Sequence, residues 1–323
     1  MTIPLSRDMI EPGNIFGARA MSPFTGVYPI LATPFHDDER LDLDSLERAI
    51  RFMKSIGADG ITVLGVLGES NRLTDREREQ VVRAAVAAAE GMPVIVGASH
   101  PGTRATIELA GMAAESGASA VMVAPSLEPA PSDERVLEYY ERIGKELSLP
   151  LVLQDHPAST QVHMPISLLI RIVENVPAVA CIKEEGLPTP ARIAALVAGM
   201  TRRRVPVLTG LGALYGLFDL EEGADGFNTG FAFPEVLLAM VRAKGENDWA
   251  RVRSLYARFL PLIVFEQQPG VAIRKEILRR RGLLVSNRVR HPGAGLTPSA
   301  ERQLQRLLDW ILPGVDLTQP LVL

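Results

Sequence analysis

The stretch "ATPFHDDERLD", residues 32–42, decides between two folds. It follows the first short apolar run of the chain, where an open doubly wound sheet usually carries a glycine-rich phosphate turn. This turn contains no glycine. Working outward from it, short apolar runs alternate with longer helical patterns. The runs are Val27–Leu31, Gly60–Leu64, Val94–Ala98, Ala120–Ala124, Leu151–Gln154, Val179–Lys183, Val205–Thr209 and Gly226–Thr229. They are brief and rich in β-branched or small residues, as strands covered on both faces should be. Between them, "LDSLERAIRFMKSIGA" is amphipathic with Asp44 as expected N-cap. "TDREREQVVRAAVAAAEG" opens on a Thr74/Glu77 capping box and closes on Gly91. Strand followed by helix, repeated until eight strands are available, predicts an α/β fold closed as a (β/α)8 TIM barrel. The expected organisation is an N-terminal extension over residues 1–25, the barrel over 26–245 and a C-terminal helical region over 246–323.

Composition narrows the function classes. The chain has 323 residues, 47% hydrophobic and 22% charged, with a formal net charge of −4. That balance offers no electrostatic footprint for nucleic acid or an anionic membrane. The runs Arg202–Arg204 and Arg279–Arg281 read as solvated helix ends. A single cysteine, Cys181, allows no disulfide framework and no cysteine-based zinc site, which fits a reducing cytosol, and a cytoplasmic location is expected. The N-terminal residues lack the apolar core of a signal peptide, and no window approaches the ~18 apolar residues of a membrane span.

Barrel active sites lie at the C-terminal strand ends. Those ends supply Thr33, the turn Gly65–Glu69, His100, Gln154–His156, Lys183, Gly210, Asn228 and Thr229. Lys183 stands out, because "AVACIKEEG", residues 178–186, is an apolar strand that ends on a lysine. Loss of hydration there would favour the neutral amine, a nucleophile toward a carbonyl carbon. The spacing equally allows a lysine paired with Glu184 or Glu185, or one reaching out to solvent.

The motifs "GVYPILATPF", "VLGVLGESNRLTDRERE", "PVIVGASHPGT", "PLVLQDHP" and "ACIKEE" occur in that order. In this respect the chain resembles the dihydrodipicolinate synthase/N-acetylneuraminate lyase superfamily over residues 26 to 315. The resemblance implies a (β/α)8 barrel with three C-terminal helices, and assembly as a homo-oligomer, tetramer or dimer. It also implies a Schiff base between Lys183 and a 2-oxo acid such as pyruvate, with no metal and no cofactor. The departures are equally informative. The hydroxyl pair usual between the two glycines of the G-x-x-G-E element is here Val66–Leu67. The strand-five tyrosine is Gln154, and the arginine that grips an aldehyde carboxylate aligns with Ser159. The tyrosine lent across the subunit interface is missing, with Leu127 near its place.

A divergent Schiff-base lyase of aldolase or dehydratase type is therefore expected, distinct from the lysine-biosynthesis synthase. The expected catalytic residues are Lys183 and His156. His156 shares the direction of Gln154 by strand alternation and titrates near neutrality. Expected at the substrate are Thr33, Val66, Leu67, Gly68, Glu69, Gln154, Asn228, Thr229 and Gly230. The backbone amides from Val66 to Glu69 are candidates for the carboxylate. Asp155 should face the helices, and whichever of Glu184 and Glu185 points inward should be held off the lysine. Two alternatives remain at this stage: a non-catalytic 2-oxo acid or sugar-acid binding protein on a retired scaffold, and a Schiff-base deaminase or decarboxylase.

Overall fold

The computed structural model describes residues 24–126, 132–268 and 270–323. The expected extension therefore lies almost wholly outside the described residues, as does Leu127. Eight strands form one parallel sheet: β1 Gly26–Pro29, β2 Ile61–Val63, β3 Val94–Gly97, β4 Ala120–Val123, β5 Leu151–Asp155, β6 Val179–Glu184, β7 Val207–Thr209 and β8 Gly226–Thr229. Hydrogen-bonded neighbours run β1-β8-β7-β6-β5-β4-β3-β2. An Ile30↔Thr62 bridge and the Leu31 N–H donated to the Thr62 carbonyl at 2.9 Å bring β1 back to β2. The result is a nearly closed TIM-type barrel with helices between the strands.

Local signals place the helices with small offsets. The helix Leu43–Ser55 is capped by Asp42, whose carboxylate accepts from Ser45 N–H at 2.9 Å, so the expected cap Asp44 falls in the first turn instead. The helix Asp75–Ala89 has the expected Thr74/Glu77 capping box. It ends on Glu90 in the left-handed region, one residue before Gly91.

Alternation along the strands splits the apolar residues into two cores. Val63, Val121, Leu153, Ile182 and Val207 face the helices in the large outer cluster, while Tyr28, Ile95, Val152, Cys181 and Leu208 fill the lumen. The register fixes the lumen in layers. From Thr62 the pairing runs to Ile95, and two residues on, Gly97 pairs with Met122. Met122 pairs with Val152, and two residues on, Gln154 pairs with Lys183. Lys183 pairs with Leu208, and the Leu208↔Gly226 register carried two residues further sets Gly210 beside Asn228. Asn228 pairs with Tyr28, and Ile30 returns to Thr62. The circuit closes, so Thr62, Met122, Lys183 and Asn228 form one layer from alternate strands, as barrels of this kind require. Beneath it lies the apolar layer Tyr28, Ile95, Val152 and Leu208. Above it lie Ile30, Gly97, Gln154 and Gly210, where the space of a side chain is taken by the Leu64 carbonyl at Gly97 and by Glu185 at Gly210.

The helices Trp249–Phe265, Val271–Arg280 and Pro298–Ile311 follow the last barrel helix, Pro234–Gly245. Their apolar faces join the outer cluster of the same chain through Phe259, Ile273, Ile277, Leu304 and Leu308. The arginine runs are not simply solvated. Arg281 is 2% exposed, ion-paired with Glu235 and stacked on Phe52 and Phe233. Arg203 donates to the carbonyls of Val173, Val176, Pro177 and Val179. Among the described residues no helix is long and apolar enough to cross a membrane.

Arg281→Met strands the Glu235 carboxylate in the interior and should lower unfolding stability by about 3–5 kcal/mol in urea titrations. Adding Glu235→Leu to the same chain should recover most of that loss, because an apolar pair replaces the ion pair.

Candidate active site

Strand β6 aims its residues by alternation. Val179 and Ile182 face the helices, Cys181 faces the lumen, and a register irregularity between Leu151 and Val152 absorbs the offset. Lys183 therefore projects into the barrel, 2% exposed. Its Nζ lies 3.0 Å from Glu185 Oε2. This corrects the expectation that the inward glutamate is held off the lysine. Residues 183 and 185 share a direction, and Glu185 is fixed where it lies. Gln154 Nε2 donates to its Oε2 at 2.7 Å, and Leu211 N–H donates to its Oε1 at 3.1 Å. Glycine at 210 makes room, since a Cβ there would stand 2.2 Å from Glu185 Oε1. Burial pushes the Glu185 carboxyl up. The charges of Lys183 and His156 and the bonds from Gln154 and Leu211 outweigh it and hold the group below the ordinary carboxylate value. Glu185 is thus an anion at neutral pH.

Glu184 and Asp155 point the other way, as expected for Asp155. Both meet Arg192: its Nε donates to Glu184 Oε1 at 3.0 Å and its Nη2 to Asp155 Oδ2 at 2.5 Å. One guanidinium thus joins the ends of β5 and β6 from outside the barrel. His156 tops β5, half-buried, with Nδ1 2.5 Å from Ser159 Oγ. Burial lowers its imidazole pKa, Glu185 pulls it back in part and Lys183 lowers it further, so His156 stands in the field of both.

The remaining expected residues divide. Thr33 Oγ1 donates to the Gly68 carbonyl at 2.6 Å and so shapes the turn. Val66–Gly68 is a single 3-10 turn, closed by Gly68 N–H on Gly65 O and Glu69 N–H on Val66 O. Val66 is exposed and lines the cavity described below, whereas Leu67 packs on Gly230, where a Cβ would meet Leu67 Cδ1 at 2.0 Å. The close approach at Gly230 thus belongs to Leu67. Glu69 turns away from the mouth to Lys275 Nζ at 2.5 Å and Arg72 at 2.6 Å, and its carboxylate also accepts from Arg290 N–H. Thr229 Oγ1 accepts from Gly212 N–H at 2.7 Å. Asn228 lies in the lysine's layer. His100 lies at the rim, its Nδ1 accepting from Gly102 N–H at 3.0 Å.

Above these groups opens a cavity of about 340 Å³. Its walls include Gly65, Val66, Met122 and Gln154, with hydroxyls from Ser70, Ser99, Ser126, Ser159 and Thr160. Met122 belongs to the layer of Lys183, so the cavity reaches that depth. Lys183 is not part of the cavity wall, but Gln154, its β5 partner and the donor to Glu185, is. No arginine or lysine lines the cavity among the described residues.

A sequence profile of the dihydrodipicolinate synthetase family matches residues 23–311. The chain belongs to that family. It is 32% identical over 287 residues to an L-2-keto-3-deoxyarabonate dehydratase from Azospirillum brasilense, covering 86% of this chain and 92% of that protein. It is 27% identical to a 4-hydroxy-tetrahydrodipicolinate synthase from Natronomonas pharaonis, covering 88% and 97%. A dihydrodipicolinate synthase from Rhodopseudomonas palustris superposes with a TM-score of 0.85 at 35% identity, covering 88% of this chain and 97% of that one. YagE from E. coli K12, solved in complex with pyruvate, gives 0.83 at 26% identity, covering 90% and 99%. Family membership makes this protein an enzyme of the class I aldolase and lyase type and sets aside a retired, non-catalytic scaffold. Sequence reasoning missed the place of Glu185. The repeat of direction at every second strand residue carries its inward aim, while its contact with the lysine depends on Gln154, Leu211 and Gly210 from other segments.

The Asp155 and Glu184 carboxyls share one guanidinium. Burial raises Glu184 to about 8, with Asp155 adding to it, and burial raises Asp155 to about 6 against the pull of Arg192. A carboxyl raised on folding stabilises the fold fully below its unfolded pKa, and that contribution fades as pH rises through the folded value. Urea midpoints should therefore fall as pH climbs from the ordinary carboxylate range, about 4, to about 8, most steeply below about 6 where both groups contribute. Glu184→Gln should flatten that limb.

Proposed function

We propose that this enzyme dehydrates a 2-oxo-3-deoxy sugar acid through a Schiff base on Lys183, with Glu185 carrying the protons. One observation carries the reading: an ionised carboxylate touches the lysine, while the strand-five position holds a glutamine with no titratable group. Lys183 condenses with the C2 carbonyl, and the protonated imine draws electrons from C3. Glu185 takes a C3 proton, and the C–H pair becomes the C2=C3 bond of an enamine. The enamine pair then moves to C3=C4 as the C4 hydroxyl departs, protonated by Glu185 to leave as water. A proton from C3 and a hydroxyl from C4 are lost, and hydrolysis of the imine frees the lysine.

Three further observations support dehydration. The amides of Val66 and Leu67 have no protein acceptor among the described residues and offer a seat for the substrate carboxylate. Neutral hydroxyls line the cavity, and His156, its pKa lowered by burial, lies against the lining residue Ser159. A condensation with a second, carboxylate-bearing aldehyde would call for a cation at the mouth, and Ser159 occupies the place of the family's arginine. The dehydratase relative acts on a 2-keto-3-deoxy acid by its name, in keeping with this chemistry.

Borohydride with pyruvate should reduce an adduct onto Lys183, seen by mass spectrometry, and Lys183→Met should abolish it. Glu185→Gln should still trap pyruvate but lose dehydration of a 2-oxo-3-deoxy pentonate by roughly 10²–10⁴-fold. Absence of any adduct on the unaltered enzyme would sink the Schiff-base reading. Full dehydration by Glu185→Gln would sink the role of the carboxylate.

A further inference from the structure

Imine formation has a charge problem that Lys183 and Glu185 do not solve alone. When the amine attacks, the Nζ–C2 bond forms and the carbonyl π pair collapses onto oxygen. The new alkoxide needs a hydrogen-bond donor until a proton from nitrogen reaches it and the group leaves as water. Donors already spoken for cannot serve. Gln154 Nε2 and Leu211 N–H are both engaged by Glu185. Thr229 Oγ1 is turned to Gly212 N–H. Tyr28 lies in the layer beneath, its ring packed where a side chain on Gly60 would go, and burial followed by the charge of Asp59 raises its phenol pKa.

Asn228 remains. Its side chain is completely buried and belongs to the four-residue layer of Lys183. Thr62 Oγ1 donates to its Oδ1 at 3.3 Å, so the oxygen end of the amide faces the threonine. Its Nδ2 has no partner among the described residues, although it is fully enclosed. An orphaned buried amide N–H destabilises the fold, so a donor held in that state points to a ligand atom.

We infer that Asn228 is a catalytic residue of the imine-forming step, its Nδ2 donating to the substrate's 2-oxo oxygen as that oxygen becomes an alkoxide. The inference rests on the Schiff-base reading above. Thr62 is the positioning residue that aims the amide. The balance is simple: a protonated amine and a ketone give a protonated imine and one water, and Asn228 neither gains nor loses a proton. A preorganised donor at a developing oxyanion typically supplies 10²–10³ in rate, so its loss should be visible in the condensation itself.

The test is rapid-quench borohydride trapping with pyruvate, which reads the rate of adduct formation and its final extent separately. Asn228→Leu keeps the side-chain shape and removes the donor. The trapping rate should fall about 10²–10³-fold, with the final extent of adduct on Lys183 unchanged. Asn228→Ala, which cannot overpack the lumen, is measured alongside and should show the same loss, thermal melting confirming that each variant is folded. Thr62→Val should slow trapping less than either. A folded Asn228 variant that traps pyruvate within about two-fold of the unaltered rate overturns the inference and leaves the Schiff-base reading standing. No adduct on the unaltered enzyme removes both.

Discussion

The structure turns on one ion pair inside a nearly closed barrel: Lys183 Nζ against Glu185 Oε2 at 3.0 Å. Either charge alone at that depth would cost several kcal/mol of lost hydration. Together they are tolerable because each offsets the other and the carboxylate is further hydrogen-bonded. Gln154 and the Leu211 amide bind the carboxylate, Gly210 clears the space it fills, and the apolar layer of Tyr28, Ile95, Val152 and Leu208 keeps water from below.

The mouth is braced from outside by charges that never enter it. Arg192 ties the carboxylates of β5 and β6 together, so the strands carrying Gln154 and Lys183 hold their register where ladder hydrogen bonds end. On the opposite wall, Glu69 leaves the mouth to meet Lys275 and Arg72, and Arg290 binds Glu77 at the start of the following helix. Lys275 and Arg290 both lie over the ring of Phe35. The C-terminal helices thus anchor the Val66–Gly68 turn, and their sequence position far from the barrel strands hides this entirely.

The fold was legible because its signals are local. Short apolar runs, a capping box at Thr74 and a glycine-free first turn each depend on a few neighbouring residues. The lysine's inward aim followed from alternation. What failed were the contacts that join distant segments. The Leu67 side chain packs on Gly230, from the far end of the barrel sequence, a contact invisible in either segment alone. Arg281 was expected in solvent and is sealed against Glu235. Glu185 was expected to avoid the lysine because isolated electrostatics suggested it, and hydrogen bonds from Gln154 and Leu211 reverse that preference. No pattern within a single strand encodes such partners.

The roof over the lysine also restricts how this site can have arisen. Glu185 can lie against the strand only because position 210 bears no side chain, and Gly210 would be an unfilled notch without Glu185 above it. Neither position can diverge on its own without ejecting the carboxylate or opening a hole in the lumen. The two should behave as a single heritable unit, exchanged together in any relative that carries a different residue at either place.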